Sequence, residues 1–219
     1  MLDLRLNAIV DAERAGRHTL PDLARAVAGG GATLVQLRDK ISNTRRMVES
    51  ARAIKAALVP LGVPLLINDR VDVALAAQAD GVHIGQDDMH PADARLLLGR
   101  TAIIGLSINT VALALAAPLE LLDYVAIGGV YGTTSKDNTK PPIGIAGLRD
   151  IVRTVRARKA GFPICSIAGI NAGNAADVIA AGADGVAVIS ALSLAPQPAD
   201  AARNLRSVVD TALAKRGVA

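Results

Sequence analysis

A short polar segment, Q-L-R-D-K, follows the second apolar run of the chain. Along an extended strand Gln36, Arg38 and Lys40 share one face, whereas Leu37 and Asp39 take the other. Two cations and an amide that point the same way form a site for an oxyanion, and arginine suits bidentate contact with phosphate. A solvated strand end, in which Asp39 pairs with the cations internally, is the alternative that the spacing leaves open.

Two carboxylates, Asp69 and Asp88, follow the next two apolar runs. If those runs are neighbouring parallel strands, both side chains reach one point at the same edge. Mg²⁺ prefers few protein ligands and keeps water and phosphate oxygens, so this pair predicts a magnesium site. Two local roles stay open, namely pairing of Asp69 with Arg70 and capping by Asp88 of a helix that begins near Pro91.

The segment 128–144 is long, polar and rich in glycine, so its backbone N–H groups can approach an anion. Its hydroxyl and ammonium groups belong to Thr133, Thr134, Ser135 and Lys136. Gly169 and Ser190 follow two later apolar runs, where barrels commonly hold a phosphate against helix N-termini. These features predict a second anion site, for a monophosphate. By contrast, His83 lies inside an apolar run and is predicted to be a hydrogen-bonded core histidine.

Eight short apolar runs alternate with alanine-rich stretches and must position these groups. The runs are continuous, as in strands buried on both faces, and cover residues 4–10, 32–37, 64–67, 81–84, 102–106, 124–127, 163–167 and 185–189. Helices are predicted over residues 44–58, 71–78, 147–158, 172–181 and 199–215. This count predicts an α/β fold, a single (β/α)8 barrel that forms one domain over residues 1–219. A doubly wound sheet would show fewer strands and a glycine-rich first turn.

In such a barrel the chemistry lies at the carboxyl ends of the strands, and polar residues follow the second to the eighth run. An internal repeat supports the barrel, because the sequence A-D-G-V at 79–82 recurs at 183–186, four strand–helix units later.

The amino-acid composition excludes several classes of protein. The chain is 51% hydrophobic and 20% charged, which excludes intrinsic disorder. It has three aromatic residues, too few for stacking on single-stranded nucleic acid, and no apolar run long enough to span a membrane. The net charge of +4 is modest, so we expect small anionic substrates and neither nucleic acid nor membrane as partners. A single cysteine, Cys165, excludes an internal disulfide and indicates a cytoplasmic location. The alanine-rich helices suit packing against another subunit or against their own barrel.

Six motifs together resemble the thiamine-phosphate synthase family. They are Q-L-R-D-K at 36–40, N-D-R at 68–70, D-G-V-H-I-G-Q-D-D at 80–88, G-L-S at 105–107, T-T-S-K at 133–136 and A-D-G-V-A-V-I-S at 183–190. The resemblance covers nearly the whole chain in the right order. It implies an enzyme that joins a hydroxymethylpyrimidine pyrophosphate to a thiazole phosphate and releases pyrophosphate with Mg²⁺. The family's reaction is dissociative and needs no protein nucleophile.

The resemblance also implies roles for individual residues. The pyrimidine pyrophosphate would contact Gln36, Leu37, Arg38, Asp39, Lys40, Asn68, Ser107 and Lys136. The thiazole phosphate would contact Thr133, Thr134, Ser135, Gly169, Ile189 and Ser190, and Mg²⁺ would be bound by Asp69 and Asp88. Arg38, Lys40, Ser107 and Lys136 would act in catalysis, largely by stabilising charge on the leaving group.

Four positions depart from the family's usual pattern, all on or beside the thiazole side: Asn109, Gly132, Ser135, which keeps a hydroxyl in place of threonine, and Ala168. Ala168 replaces a glycine, and if the backbone there has a positive φ, its methyl group is expected to weaken phosphate binding. Two other functions stay open, a thiazole tautomerase and a non-catalytic barrel that binds a thiamine precursor. The complete charged set favours the synthase over both, because neither needs a site for metal and pyrophosphate.

Overall fold

The computed structural model describes residues 2–135 and 141–217. Eight parallel strands close into a barrel in which each strand pairs with the next in sequence and the last pairs with the first. The strands are β1 (Leu6–Asp11), β2 (Leu34–Arg38), β3 (Leu65–Asn68), β4 (Gly81–Ile84), β5 (Ile103–Ile108), β6 (Tyr124–Ile127), β7 (Ile164–Ile167) and β8 (Gly185–Val188). The predicted (β/α)8 barrel is confirmed.

Helices follow the strands and cover the outside of the barrel. They are α1 (Leu20–Gly29), α2 (Thr44–Leu58), α3 (Val71–Ala77), α4 (Pro91–Leu98), α5 (Val111–Ala116), α6 (Gly144–Arg158), α7 (Ala175–Ala180), α8 (Ser190–Ser193) and α9 (Pro198–Lys215), with a 3-10 turn at Val59–Leu61. In the described part of the chain, none of these helices is both long and apolar enough to cross a membrane.

Helix α7 begins three residues later than predicted. The side chain of Asn171 accepts the N–H of Gly173 at 2.8 Å, and that of Asn174 accepts the N–H of Asn171 at 2.9 Å. These local bonds hold the chain in a turn, because asparagine side chains compete with helical hydrogen bonding. The turn keeps Gly169 and its neighbours at the mouth of the barrel outside the helix.

The barrel has two apolar layers. Large side chains between the strands and the helices form the outer layer, whereas residues such as Ile9, Leu66, Tyr124 and Cys165 fill the interior. Tyr124 is fully buried, and a Cβ atom at Gly105 would come within 2.2 Å of its ring. The glycine on β5 therefore makes room for the tyrosine on β6.

The amino-terminal ends of the strands carry a hydrogen bond that recurs every two strands. In each case a backbone N–H at the start of an odd-numbered strand donates to a side-chain oxygen just before the following strand. The pairs are Leu6 with Thr33 (3.1 Å), Leu65 with Asp80 (2.7 Å), Ile104 with Asp123 (2.8 Å) and Ile164 with Asp184 (2.9 Å). Asp80 and Asp184 are the aspartates of the A-D-G-V repeat, which is thus part of a fourfold structural pattern.

Candidate functional site

A cavity of about 550 Å³ opens at the carboxyl ends of the strands, and every strand contributes to its wall. Most of the predicted site residues line it. They are Gln36, Arg38, Lys40, Asn68, Asp69, Asp88, Ser107, Thr133, Ser135, Gly169, Ile189 and Ser190. The topology therefore brings together side chains that are widely separated in the sequence.

Acidic residues at the end of β1 and just after it fix the side chain of Arg38. Its Nη1 donates to Oδ2 of Asp11 at 2.5 Å and lies 3.7 Å from Oε2 of Glu13. Asp39, the partner considered from the sequence, instead accepts the N–H groups of Ile41 and Ser42. It thereby shapes the turn before α2, and the internal pairing of Asp39 with the cations is wrong.

Lys40 and the two predicted metal ligands form a second charged group. The Lys40 ammonium donates to Oδ2 of Asp69, and Oδ2 of Asp88 accepts the N–H of Gly85 at 2.7 Å. Burial, and then the adjacent Asp69 carboxylate, raise the pKa of Asp88 above its ordinary value. A cation bound beside Asp69 and Asp88 would favour the ionised form of Asp88.

The local roles considered for these aspartates are not observed. Arg70 pairs with Asp72 at 2.5 Å, and the side chain of His90 caps α4. Asp69 and Asp88 line the cavity instead.

A buried hydrogen-bonded row enters the cavity from the barrel interior. His83 Nδ1 lies 2.8 Å from Tyr124 Oη, and His83 Nε2 lies 2.8 Å from Ser107 Oγ. His83 is 7% exposed, as expected for a core histidine, but its ring also reaches a residue of the cavity wall.

The opposite side of the cavity is built mainly from backbone and hydroxyl groups. Gly169 has a φ of +66°, and a Cβ atom there would lie 2.4 Å from the carbonyl oxygen of Gly132. Ala168 also has a positive φ, +85°. The backbone is therefore in the conformation for which we expect the methyl group of Ala168 to weaken phosphate binding. Ser190 begins the short helix α8 directly after β8.

Three predicted contacts, Leu37, Asp39 and Thr134, do not line the cavity. Leu37 is buried between β2 and the outer helices, and Asp39 shapes the turn described above. The carbonyl of Thr134 accepts a hydrogen bond from Arg14 at 2.7 Å, which ties the loop after β6 to the loop after β1. Lys136 lies outside the described residues. For Leu37 and Asp39, strand alternation turns the side chains away from the cavity.

Comparisons with known proteins identify the family of the chain. Residues 6–192 match the family model described as thiamine monophosphate synthase. The chain is 50% identical over 215 residues to the thiamine-phosphate synthase of Agrobacterium fabrum, covering 98% of both chains. The chain belongs to the thiamine-phosphate synthase family. It is accordingly an enzyme of thiamine biosynthesis and a transferase.

Other members of the thiamine-phosphate synthase family support this assignment. The enzyme from Xanthobacter autotrophicus is 48% identical over 207 residues, which cover 94% of this chain and 96% of that one. The solved structure of thiamine phosphate pyrophosphorylase from Pyrococcus furiosus superposes with a TM-score of 0.84 at 34% identity, covering 97% of this chain and 98% of the other.

The sequence did not predict two residues that shape this synthase's site. Asp11 ends β1 and holds Arg38 at the cavity wall, and its signal was a carboxylate directly after the first apolar run. Asn7 lies within β1, is 1% exposed and lines the cavity. Among the described residues its Oδ1 has no hydrogen-bond partner, so a ligand donor would satisfy it. An asparagine inside an apolar run was the available signal for Asn7.

Proposed function

We propose that this synthase condenses 4-amino-2-methyl-5-(diphosphooxymethyl)pyrimidine with a thiazole phosphate to give thiamine phosphate and pyrophosphate, assisted by Mg²⁺. The observation that carries the proposal is the division of one cavity into two sides that suit different anions. Cations and carboxylates from β2, β3 and the loop after β4 form one side. Glycine backbone and hydroxyl groups after β6, β7 and β8 form the other.

Asp69 and Asp88 fit Mg²⁺ as its protein ligands. Among the described residues there is no cluster of three or more histidine, cysteine or acidic side chains for a metal. A pair of carboxylates is nevertheless a suitable donor set for Mg²⁺, which completes its shell with water and phosphate oxygens. When bound, the ion would neutralise charge on the pyrophosphate. Lys40, already bonded to Asp69, would stay next to the same phosphate group.

Arg38 and Lys40 would bind the pyrophosphate and stabilise the charge that develops as it leaves. In the dissociative reaction the bond between the pyrimidine methylene carbon and the pyrophosphate oxygen breaks, and the electron pair stays on that oxygen. The thiazole nitrogen then forms the new bond to the methylene carbon. Preoriented cations stabilise the charge on the departing oxygen more strongly in the transition state than in the ground state, and this difference accelerates the step. Ser107 and Lys136 are proposed to act on the same group.

No protein nucleophile is needed, and Cys165 is unsuited to be one. Its thiol is fully buried, and burial raises its pKa far above the ordinary range. The cavity would instead hold the two substrates next to each other and keep water from the cationic intermediate. A buried free thiol also accords with the reducing cytoplasm that we propose as the compartment.

The thiazole phosphate would bind where Gly169, Ser190, Thr133 and Ser135 line the cavity. Gly169 lets the loop after β7 pack against the carbonyl of Gly132, and the hydroxyl groups would supply donors to the phosphate. We include Ile189 in this subsite as a backbone contact.

A product assay tests the proposal. Purified enzyme is mixed with both substrates, with Mg²⁺ or with a chelator, and thiamine phosphate and pyrophosphate are quantified. We expect equimolar products only with Mg²⁺, and loss of turnover in Asp69→Ala and Asp88→Ala with the fold retained by circular dichroism. Binding of thiazole phosphate without product would favour the tautomerase or the non-catalytic barrel.

A further inference from the structure

Three side chains form a continuous row from the barrel interior to the cavity wall. Tyr124 is fully buried, His83 is 7% exposed, and Ser107 is half-buried where it lines the cavity. Both links in the row, Tyr124 Oη to His83 Nδ1 and His83 Nε2 to Ser107 Oγ, measure 2.8 Å. Each distance is that of a well-formed hydrogen bond.

The barrel register builds this row. His83 on β4 pairs with Gly105 on β5, and Gly105 pairs with Tyr124 on β6. Because glycine has no side chain, the tyrosine and histidine rings meet across the strand between them, with centroids 5.5 Å apart. Ser107 lies two residues beyond Gly105 on the same face, directly above the rings.

The burial of Tyr124 indicates where its phenolic proton lies. Tyr124 Oη lies 2.8 Å from His83 Nδ1, and we infer that its O–H donates to Nδ1, which gives the buried phenolic proton an acceptor. Burial also raises the pKa of Tyr124 well above its ordinary value, which keeps this proton in place. With Nδ1 as the acceptor, Nε2 carries an N–H and donates to Ser107 Oγ, 2.8 Å away. Ser107 is left with its O–H free to donate into the cavity.

We propose that Tyr124 and His83 are positioning residues that hold Ser107 as a hydrogen-bond donor to a pyrophosphate oxygen of the pyrimidine substrate. No proton is transferred in this arrangement, since each group donates the hydrogen that it already carries. The inference rests on the proposed function for the identity of the acceptor. A donor oriented before the reaction stabilises the developing charge without reorganisation, so its effect falls on kcat.

The imidazole tautomer is the first test, and it needs no turnover. In ¹⁵N-labelled enzyme at neutral pH, two-bond ¹H–¹⁵N correlation distinguishes the Nε2–H from the Nδ1–H form. The chain has three histidines, so His83 is assigned by its absence in His83→Gln. We expect the Nε2–H form in the wild type and a mixture of forms in Tyr124→Phe. The Nδ1–H form in the wild type would overturn the proposal.

The second test separates positioning from a structural role. We expect Tyr124→Phe to lower kcat about tenfold, with KM for both substrates within about twofold of wild type. Ser107→Ala should lower kcat at least as much. The double variant should match Ser107→Ala alone, because Tyr124 acts through Ser107. Multiplied losses in the double variant would overturn the proposal, since they would mean that Tyr124 acts independently of Ser107.

Thr33→Val is a matched control for the loss of a hydroxyl group within the barrel. Thr33 Oγ1 bonds the backbone of Leu6 at the opposite end of the barrel, so we expect lower stability and unchanged kcat. If the wild type makes no thiamine phosphate, the proposed function fails. The tautomer measurement still decides whether the row carries its protons as inferred.

Discussion

Asp11 Oδ2 lies 2.5 Å from Nη1 of Arg38, and the two side chains are 1% and 14% exposed. This nearly buried ion pair fixes the direction of the guanidinium at the cavity wall. Ion pairs on the outer helices, such as Arg153 with Asp150, are 77% and 57% exposed and have no such role.

Replacing Asp11 is expected to affect both stability and substrate binding. Asp11→Asn removes the charge that balances Arg38 while Glu13, 3.7 Å away, remains. We expect the free energy of unfolding to fall by about 2 kcal/mol and kcat/KM for the pyrimidine pyrophosphate to fall about tenfold. Urea denaturation and steady-state kinetics measure the two effects. The surface control Asp150→Asn should change stability by less than about 0.5 kcal/mol, and equal effects in the two variants would contradict the role of Asp11.

Asp88 is expected to make metal-free stability depend on pH. Its raised pKa means that the folded protein holds this proton more tightly than the unfolded chain does. The contribution of Asp88 to stability therefore declines as the pH rises from the ordinary carboxyl pKa through the raised one. We expect metal-free Asp88→Asn to melt at a higher temperature than wild type at neutral pH, with a gap that narrows in acid. Added Mg²⁺ should stabilise the wild type and not the variant, and a variant that Mg²⁺ stabilises equally would remove Asp88 from the metal site.

We expect the substitution Ala168→Gly to increase both the stability of the protein and its affinity for the thiazole phosphate. Its φ of +85° places an L-residue in the left-handed region, at a cost of about 1–2 kcal/mol. Glycine relieves this strain but adds freedom to the unfolded chain, so Ala168→Gly should raise the free energy of unfolding by about 0.5–1 kcal/mol. We also expect a lower KM for the thiazole phosphate. The control Ala176→Gly, on the exposed face of α7, should lose about 1 kcal/mol, and an unchanged KM in Ala168→Gly would mean that the methyl group does not reach the phosphate.

We expect the replacement of Asp184 to lower the stability of the fold and to leave catalysis unchanged. It accepts the N–H of Ile164 and pairs with Arg156 and Arg216 at the end of the barrel opposite the cavity. Asp184→Ala should lower the free energy of unfolding by about 2 kcal/mol, because two cations and a backbone donor lose their acceptor. Calorimetry and the product assay should show a lower melting temperature with kcat unchanged. A large loss of kcat would indicate coupling between the two ends of the barrel.

Cys165 is expected to be dispensable for catalysis. Cys165→Ala should retain kcat within about twofold, because a dissociative reaction uses no thiol. In the wild type, a thiol reagent should label Cys165 only as fast as the protein unfolds, since the side chain is fully buried. If the folded Cys165→Ala variant lost activity, the conclusion that the reaction uses no protein nucleophile would be wrong.

The sequence alone determined the class of fold and most of the polar residues of the cavity wall. Continuous apolar runs identify strands buried on both faces, and such strands, each followed by a helix, close into a barrel whose carboxyl ends meet. The alternation in segment 36–40 therefore placed Gln36, Arg38 and Lys40 correctly on one face. It also showed why Leu37 and Asp39, named through the family resemblance, turn away from the cavity.

Only the tertiary structure decided which groups meet. Asp11 and Arg38 are 27 residues apart, Lys40 and Asp69 are 29 apart, and His83 and Tyr124 are 41 apart. Each pairing depends on the register between neighbouring strands and, for His83, on the missing side chain at Gly105. Local patterns carry the periodicity that buries a strand, whereas contact between distant side chains is created by barrel closure, which no single segment encodes.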